Sequence, residues 1–545
     1  MAERLSALYK DVLDGSYNCV DRIVLNGYHG MCHSGGGFRL WWQQLMGQGV
    51  IPTQAQLLRM AGHFSRRVQA YAKAHGIPVL HCDKGEEKHK LAEEYLEKTR
   101  IEHGVFLILI GRAQAPVWKV SLGGHLEWKS PMPFVNHYSF HILDREWGHI
   151  TIKLSSHPPF PAQIILNGHE YVECQARRAG LEFGKEGNCF TNIVDVAGLA
   201  QIAETLSEPL AIGRLRQVCE RWIYSSCLCF ALNTEQRERS GFRYEYSVYQ
   251  MEYSRNLIFR QGSVMEELFQ ALIERSRGPL DVKKIKTILG HKRGPGKRVG
   301  RNKMAAWEVA VERPEYDLTV FKVRCGLYTL KIYTKGERVL RVEAIAPNVK
   351  RLQYGCVLDK FPVLVARLQE LVERFMEVLS CLDQCFVGAT LLEELPRPTQ
   401  VGQTRVGGMD MNRPRTRWVM EAVLSLAPCV EGFTASQLAQ RVRELSQQSE
   451  DQYSSRQAAY DLKKLRGKQM ARRMGKSRRY EPLREGIRAM AALLVLRDKV
   501  LQPLLAAAQP ANLSYGPYNP TPIDRHYETL RSGMQGVFHE LGIAA

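Results

Sequence analysis

The sequence predicts an α+β chain of several domains. An N-terminal α/β layer (residues 1–130) precedes a body of antiparallel sheet and helices (131–393). A linker (394–416), a smaller C-terminal module (417–507) and a Pro/Asn-rich tail (508–545) follow. Three observations carry this reading. Gly104-Val-Phe-Leu-Ile-Leu-Ile-Gly111 is an apolar run bounded by glycine, the pattern of a strand buried on both faces, and it closes a stretch in which strand-like and helix-like segments alternate. From Pro133 the pattern becomes a meander with period-2 alternation, repeated between Leu318 and Ala346. After the Pro/Gly-rich segment from Glu394, two capping boxes and a basic hairpin crowd into about ninety residues.

In chain order, Asp21-Arg-Ile-Val-Leu-Asn-Gly27 reads as a short strand and Ser34-Gly-Gly-Gly37 as a turn. Helical periodicity runs from Gln54 to Ala74, and Glu86 to Arg100 is a charged, exposed helix. Tyr138–Leu143 and His149–Leu154 form a hairpin across Asp144-Arg-Glu-Trp-Gly148. Helices are predicted at Tyr171–Ala179, Val196–Leu206, Leu210–Cys229 and Met265–Arg277, and Tyr249-Gln-Met-Glu-Tyr253 is read as helical too. Strands follow at Leu318–Arg324, Leu327–Lys335 and Val339–Ala346. Leu364, Leu368, Leu371, Phe375 and Leu379 then make one apolar helical stripe.

Composition bounds the function classes. The 545 residues, 45% hydrophobic and 24% charged, are those of a globular chain and not of a disordered one. Met1 to Gly15 has acids and no apolar core, and no run approaches the ~18 apolar residues of a membrane span, so a cytoplasmic, nucleoid-associated protein without membrane contact is expected. The thirteen cysteines are odd in number and none forms a CxxC pair, which disfavours both a disulfide framework and a structural zinc.

Charge is concentrated. Lys283–Lys303 and Lys463–Arg479 each carry nine Lys/Arg and no acid, against a formal net charge of +19 for the whole chain. Basic patches at defined positions are the footprint of a phosphate backbone. The partner expected is therefore nucleic acid, DNA and/or structured RNA, with a homodimer also open. In the first stretch Lys283, Lys284, Lys292, Arg293, Lys297, Arg298, Arg301 and Lys303 sit among glycine and proline, as on a loop that clamps a backbone.

In the second stretch, Trp418–Leu426 is an apolar helix. Thr434-x-x-Gln437 opens another and Ser454-x-x-Gln457 a third, with Ala459, Leu462 and Leu465 inward. Met470–Met474 and Arg478–Tyr480 then flank a basic tip. Three helices followed by a basic hairpin resemble the winged helix-turn-helix of bacterial regulators and replication proteins. That resemblance implies a third helix in the major groove. Arg456, Gln457, Tyr460 and Lys464 would face the bases and Lys476, Arg478 and Arg479 would be wing contacts, with Lys463, Arg466, Arg472 and Arg473 as further nucleic-acid-binding residues.

The candidate chemistry lies on the second meander. In Thr329–Lys335 the side chains of Lys331, Tyr333 and Lys335 share one strand face, and in Val339–Ala344 Arg341 and Glu343 share one. The pair "KIYTKG…LRVE" resembles the "YDK…LRIE" strands of rolling-circle replication initiators of plasmids and phages. The resemblance implies an endonuclease in which a nucleophilic tyrosine, Tyr333 or Tyr253, nicks DNA with Mg²⁺ or Mn²⁺ at Glu343. The His-apolar-His metal motif common in those proteins is absent here. Asp21, at a strand start, is a second candidate catalytic acid and metal ligand, with Asp144 or Asp195 as possible partners. The competing reading is a non-catalytic binder, either the protein component of a ribonucleoprotein or a transcriptional regulator.

Overall fold

Strand β1 (Leu13–Tyr28) begins the chain's larger unit in the computed structural model, and it runs well beyond the heptapeptide expected to be a strand. The structure describes residues 9–83, 86, 88–121, 124–277, 285–286, 309–315, 318–325, 327–352, 355–383, 391–497, 522, 525–526, 528–530 and 532–533. These fall into two compact units. The larger comprises Asp11–Met265 and Leu327–Val372; Glu266–Gly326 and Glu373–Ala545 belong to the other. Among the described residues no helix is long and apolar enough to cross a membrane.

After β1, Ser34 caps helix α1 (Gly35–Met46), its side chain accepting from the Gly37 amide. The glycines expected to form a turn therefore start a helix instead, because Phe38, Trp41, Trp42 and Leu45 supply a buried face that outweighs their low propensity. Helix α2 (Gln54–His75) follows a capping box at Thr53, and strand β2 (Val79–His81) precedes helix α3 (Lys88–Lys98). Strand β3 (Gly104–Gln114) is buried through its apolar run, as the pattern required. Strands β4 (Phe134–Asp144), β5 (Gly148–Ser155) and β6 (Ala162–Asn167) lead into helix α4 (Gly168–Arg178). Helices α5 (Val196–Glu204) and α6 (Ala211–Ser226) come next, then strands β7 (Glu245–Phe259), β8 (Tyr328–Lys335) and β9 (Val339–Ala346).

Within this unit the strands lie in one sheet, in the order β2-β3-β4-β5-β6-β1-β7-β9-β8. Every neighbouring pair is antiparallel except β2 with β3. The first strand thus sits at the sheet's centre, between β6 and β7. One face of the sheet is apolar. It carries Val20, Ile23, Tyr253, Leu257, Leu340 and Ile332, all buried, and at the β4 end α2 packs Phe64 against Tyr138 with ring centroids 4.9 Å apart. The other face carries most of the strands' polar residues, and at β3 it presents Leu107 and Leu109, which cluster with Ala92 of α3.

The β4–β5 turn shows how local chemistry sets the register. Asp144 Oδ1 accepts from the amides of Glu146 (2.8 Å) and Trp147 (3.0 Å), while its Oδ2 takes Arg221 Nη1 and Trp222 Nε1, each at 2.7 Å. Asp144 is thereby committed to the turn. Asp195 caps α5 by accepting from Gly198 N at 2.9 Å. Neither joins Asp21 in a carboxylate set, as the sequence had left open. Burial pushes the Asp144 carboxyl up, but the hydrogen bonds from Trp222 and the turn amides and the Arg221 charge together hold it below its ordinary value.

In the other unit, the C-terminal module comprises helices α7 (Pro414–Leu426), α8 (Ala435–Ser446) and α9 (Ser455–Gly467), strands β10 (Ala471–Arg473) and β11 (Tyr480–Pro482), and helix α10 (Arg484–Leu496). Both capping boxes form as the sequence predicts. Along α9 the inward residues are Ala458, Leu462 and Leu465; Ala459 is exposed, one position off the expected stripe. Helix α10 was not anticipated. Residues 394–416 include a small hairpin, Thr399–Val401 with Thr404–Val406, and Lys468 Nζ donates to Arg397 O at 2.7 Å.

Candidate functional site

The polar face of β1, β7, β9 and β8 gathers the candidate chemistry. Because side chains alternate along a strand, register decides which of them meet. Lys331 pairs with Glu343 and Tyr333 with Arg341 across β8 and β9; Ser254 pairs with Glu343 and Asn256 with Arg341 across β7 and β9; Cys19 pairs with Ser254 and Tyr17 with Asn256 across β1 and β7. Between Val20–Tyr253 and Ile23–Met251 the ladder is irregular, so that Asp21 and Arg22 together oppose Glu252. That bulge turns both residues toward the polar side, where they line one cleft with Glu252.

Helix α4 and the segment after it cover part of this face. Gly168 opens the helix so close to β1 that a Cβ there would lie 1.7 Å from the Val20 carbonyl oxygen, so only glycine fits. The next residue, His169, is wholly buried, with Nδ1 2.5 Å from Asp21 Oδ1. Arg341, also fully buried, donates from Nε to Asn256 Oδ1 (2.7 Å) and from Nη2 to the Asn188 carbonyl, with His169 Nε2 at 3.3 Å; its Nη1 lies 3.9 Å from Asp21 Oδ2. An Nε2 that accepts from Arg341 leaves the imidazole proton on Nδ1, facing Asp21. Tyr17 adds a phenol that accepts from the Phe190 amide at 3.1 Å.

The electrostatics divide this face in two. At the closed end, burial pushes the Asp21 carboxyl up, but the adjacent His169 and Arg341 outweigh it and hold Asp21 below its ordinary value. Burial disfavours charge on His169 by more than Asp21 restores, so the imidazole is neutral and Arg341 is the cation of the set. At the open end, Glu343 forms an ion pair with Lys331 (3.0 Å), yet its carboxyl is pushed up by burial and by Asp21. Glu252 is pushed up to about 7 by burial, then by Glu343 and Asp21. Burial and Glu343 raise the Tyr333 phenol, with Arg341 opposing them.

The resemblance of the β8–β9 strands implies a divalent metal. Cys19, Asp21 and His169 each offer a ligand atom, all within 4.8 Å of one another. They do not fit. Arg341 already neutralises Asp21 and occupies the free nitrogen of His169, and the Cys19 thiol is driven well up by burial and by Asp21. Asp21 is held beside His169 and Arg341 in a buried ion pair. Glu343, paired with Lys331, and Glu252, two residues along β7 from the Ser254–Glu343 pair, are the remaining carboxyls; burial and Asp21 push Glu343 up, and burial, Glu343 and Asp21 push Glu252 up, which a cation would relieve.

The remaining expected residues separate as follows. Tyr253 lies on strand β7 rather than on a helix, since Tyr, Val, Ile and Phe with period-2 polarity favour a strand; it is 2% exposed on the apolar face, away from Glu343. Glu252, Ser254 and Asn256 were missed for the same reason, although their alternation with apolar neighbours was the available signal. Lys283, Lys284, Lys292, Arg293, Lys297, Arg298, Arg301 and Lys303 lie outside the described residues.

On the C-terminal module, Arg456 and Tyr460 are exposed on α9, and Lys464 lies over the Tyr460 ring at 5.2 Å; Lys463 and Arg466 are half-buried. Gln457 is committed to its capping box. Arg472 pairs with Glu481 (2.7 Å), Arg473 Nη2 donates to the Lys476 carbonyl (2.9 Å) and Arg479 to Gly432 O (2.8 Å), so these three brace the hairpin. Lys476 and Arg478 are exposed at its tip.

No protein-family model and no curated protein matches this chain. Among solved structures, a rolling circle replication initiator protein from Geobacillus stearothermophilus is similar over 65% of this chain and 80% of its own, at 8% identity and a TM-score of 0.20. The resemblance is weak, and the residues themselves carry the functional reading.

Proposed function

We propose that this chain is a DNA-processing protein of a mobile element, with a sheet that nicks a strand and a C-terminal winged helix that selects the site. The observation that carries the reading is the convergence of Tyr333, Lys331, Glu343 and Glu252 on one polar sheet face. In the step proposed, the Tyr333 oxygen bonds to phosphorus and one P–O ester bond breaks, leaving the strand end on the tyrosine. The phenol proton goes to solvent, since Glu252 stands four residues along β7 from the row that pairs Asn256, Arg341 and Tyr333, and the departing oxygen is protonated by Lys331 or solvent. An Mg²⁺ or Mn²⁺ ion held by Glu343 would neutralise charge on the phosphate. The three helices and short hairpin of the 414–496 module support the winged-helix reading. In it Arg456, Tyr460 and Lys464 face the groove, while Lys476 and Arg478 touch phosphate.

The test is to incubate the protein with single-stranded and supercoiled DNA and Mn²⁺, then to resolve protein–DNA adducts under denaturing conditions. Tyr333→Phe should abolish the adduct and Glu343→Gln should strongly reduce it, with DNA binding retained in both. No adduct from the unaltered protein would sink the nicking reading. A specific observation favours a second reading in that event. Lys331 already neutralises Glu343 and Arg341 neutralises Asp21, which suits a non-catalytic binder, either a ribonucleoprotein component or a regulator.

A further inference from the structure

Away from Tyr333, the same polar sheet face floors a cleft of about 1090 Å³ between α3 and α4. Its floor is built by register: Ser139 pairs with Lys153, Lys153 with Gln163, and His141 with Thr151. At its far end lie Asp21 and Glu252.

Three features of this cleft point to an anion. Among the described residues neither Lys153, half-buried on β5, nor Lys88, in the first turn of α3, forms an ion pair with a carboxylate. The Lys153 ammonium is lowered by burial and by the Lys88 charge. A cation in the first turn also opposes the helix dipole, unless an anion sits there. His141 is 5% exposed, and its Nδ1 is engaged by Thr151 Oγ1 (3.2 Å) and His149 Nε2 (3.1 Å), whereas its buried Nε2 has no hydrogen-bond partner. Burial and His149 hold this imidazole down at about 3, so at neutral pH an Nδ1 that accepts leaves Nε2 as an N–H donor. Finally, the most buried acids of the walls are paired. Glu170 and Glu173 are both tied to Lys185, and Glu93 and Glu97 are exposed on α3.

We propose that this cleft binds the phosphodiester backbone of single-stranded DNA through Lys88, Lys153 and the His141 N–H, and leads the strand to Glu252 and Tyr333. The proposal rests on the nicking reading and names the track its substrate follows. The volume lies at the upper end of the roughly 300–1,000 Å³ range of small-molecule pockets.

The test uses the full chain and a twelve-nucleotide DNA carrying 4-thiothymidine, photo-crosslinked and mapped by peptide mass spectrometry. Crosslinks are expected within residues 139–153. A Lys88→Gln/Lys153→Gln variant should bind the oligonucleotide about tenfold more weakly. Its log–log salt slope should be shallower by about 1.4, at about 0.7 for each single-strand phosphate contact. Lys153→Arg, which keeps the charge, should bind normally. Crosslinks confined to other peptides, or unchanged affinity and slope, would overturn the proposal, as would equally tight binding of thymidine monophosphate, which would make this a nucleotide pocket. If crosslinks form in the cleft but no tyrosine adduct is ever seen, the cleft stands and the nicking reading falls. If the adduct forms while the double variant binds normally, the reverse holds.

Discussion

Replacing Glu252 by Gln isolates the electrostatics of the open end of the candidate site. The carboxyl is pushed up from 4.5 to about 7 by burial first, then by Glu343 and Asp21. The folded protein therefore holds this proton more tightly than the unfolded chain. The contribution to stability is complete below about pH 4.5 and is lost as pH rises through about 7, the sign expected for a raised acid. At about 1.4 kcal/mol for each tenfold change, the full loss is about 3 kcal/mol at pH 8. Glutamine keeps the shape, and its amide oxygen can still accept from Gln250 Nε2, which donates to Glu252 at 2.7 Å. The Glu252→Gln protein should match the unaltered chain near pH 4.5 and exceed it by about 3 kcal/mol at pH 8, or roughly 6 °C at ~2 °C per kcal/mol. Thermal melts at pH 4.5, 6, 7 and 8 in metal-free buffer would measure the difference. Adding Mn²⁺ at pH 8 should narrow it, because an ion that binds only the folded carboxylates stabilises the unaltered chain. A difference independent of pH, or a variant less stable at pH 8, would refute the assignment of a strained carboxylate.

Arg341→Met should cost about 3–5 kcal/mol, since it leaves Asp21 ionised and buried without its guanidinium; denaturant unfolding would measure this, and Asp21→Asn in the same background should recover part of the loss. Gly168→Ala should destabilise the larger unit by more than about 2 kcal/mol, because backbone rather than a movable side chain blocks the new methyl; proteolysis of the segment between β6 and α5 would report it first. Lys476→Glu/Arg478→Glu should weaken duplex DNA binding and flatten the salt slope by at least about 1.8, at about 0.9 per phosphate; an unchanged slope in titrations from low to moderate salt would remove the hairpin tip from the interface.

How much of this was legible in the sequence follows from the range of each interaction. Capping boxes at Thr434 and Ser454, the turn at Asp144 and the buried run at Gly104–Gly111 are decided within a few residues, and they fold as read. The pairing of Lys331 with Glu343 and of Tyr333 with Arg341 was also accessible, since strand alternation and one tight turn determine it. The misread segments are those where local and tertiary preferences compete. Ser34–Gly37 has the composition of a turn but is drawn into a helix by the buried aromatics that follow. Tyr249–Tyr253 has helical spacing but belongs to a strand held between two others.

By itself, then, the sequence determined local elements, the concentration of positive charge, and which side chains share a strand face, all properties of neighbours along the chain. The tertiary structure alone decided which strands adjoin. It set β1 between β6 and β7, so that Asp21 meets His169 from 148 positions away and Arg341 from still further. It also turned a bulge into the means of aiming Asp21 and Arg22 at Glu252. Long-range pairing is chosen by burial of whole faces rather than by any short pattern, so a buried polar network built on it has no local signature.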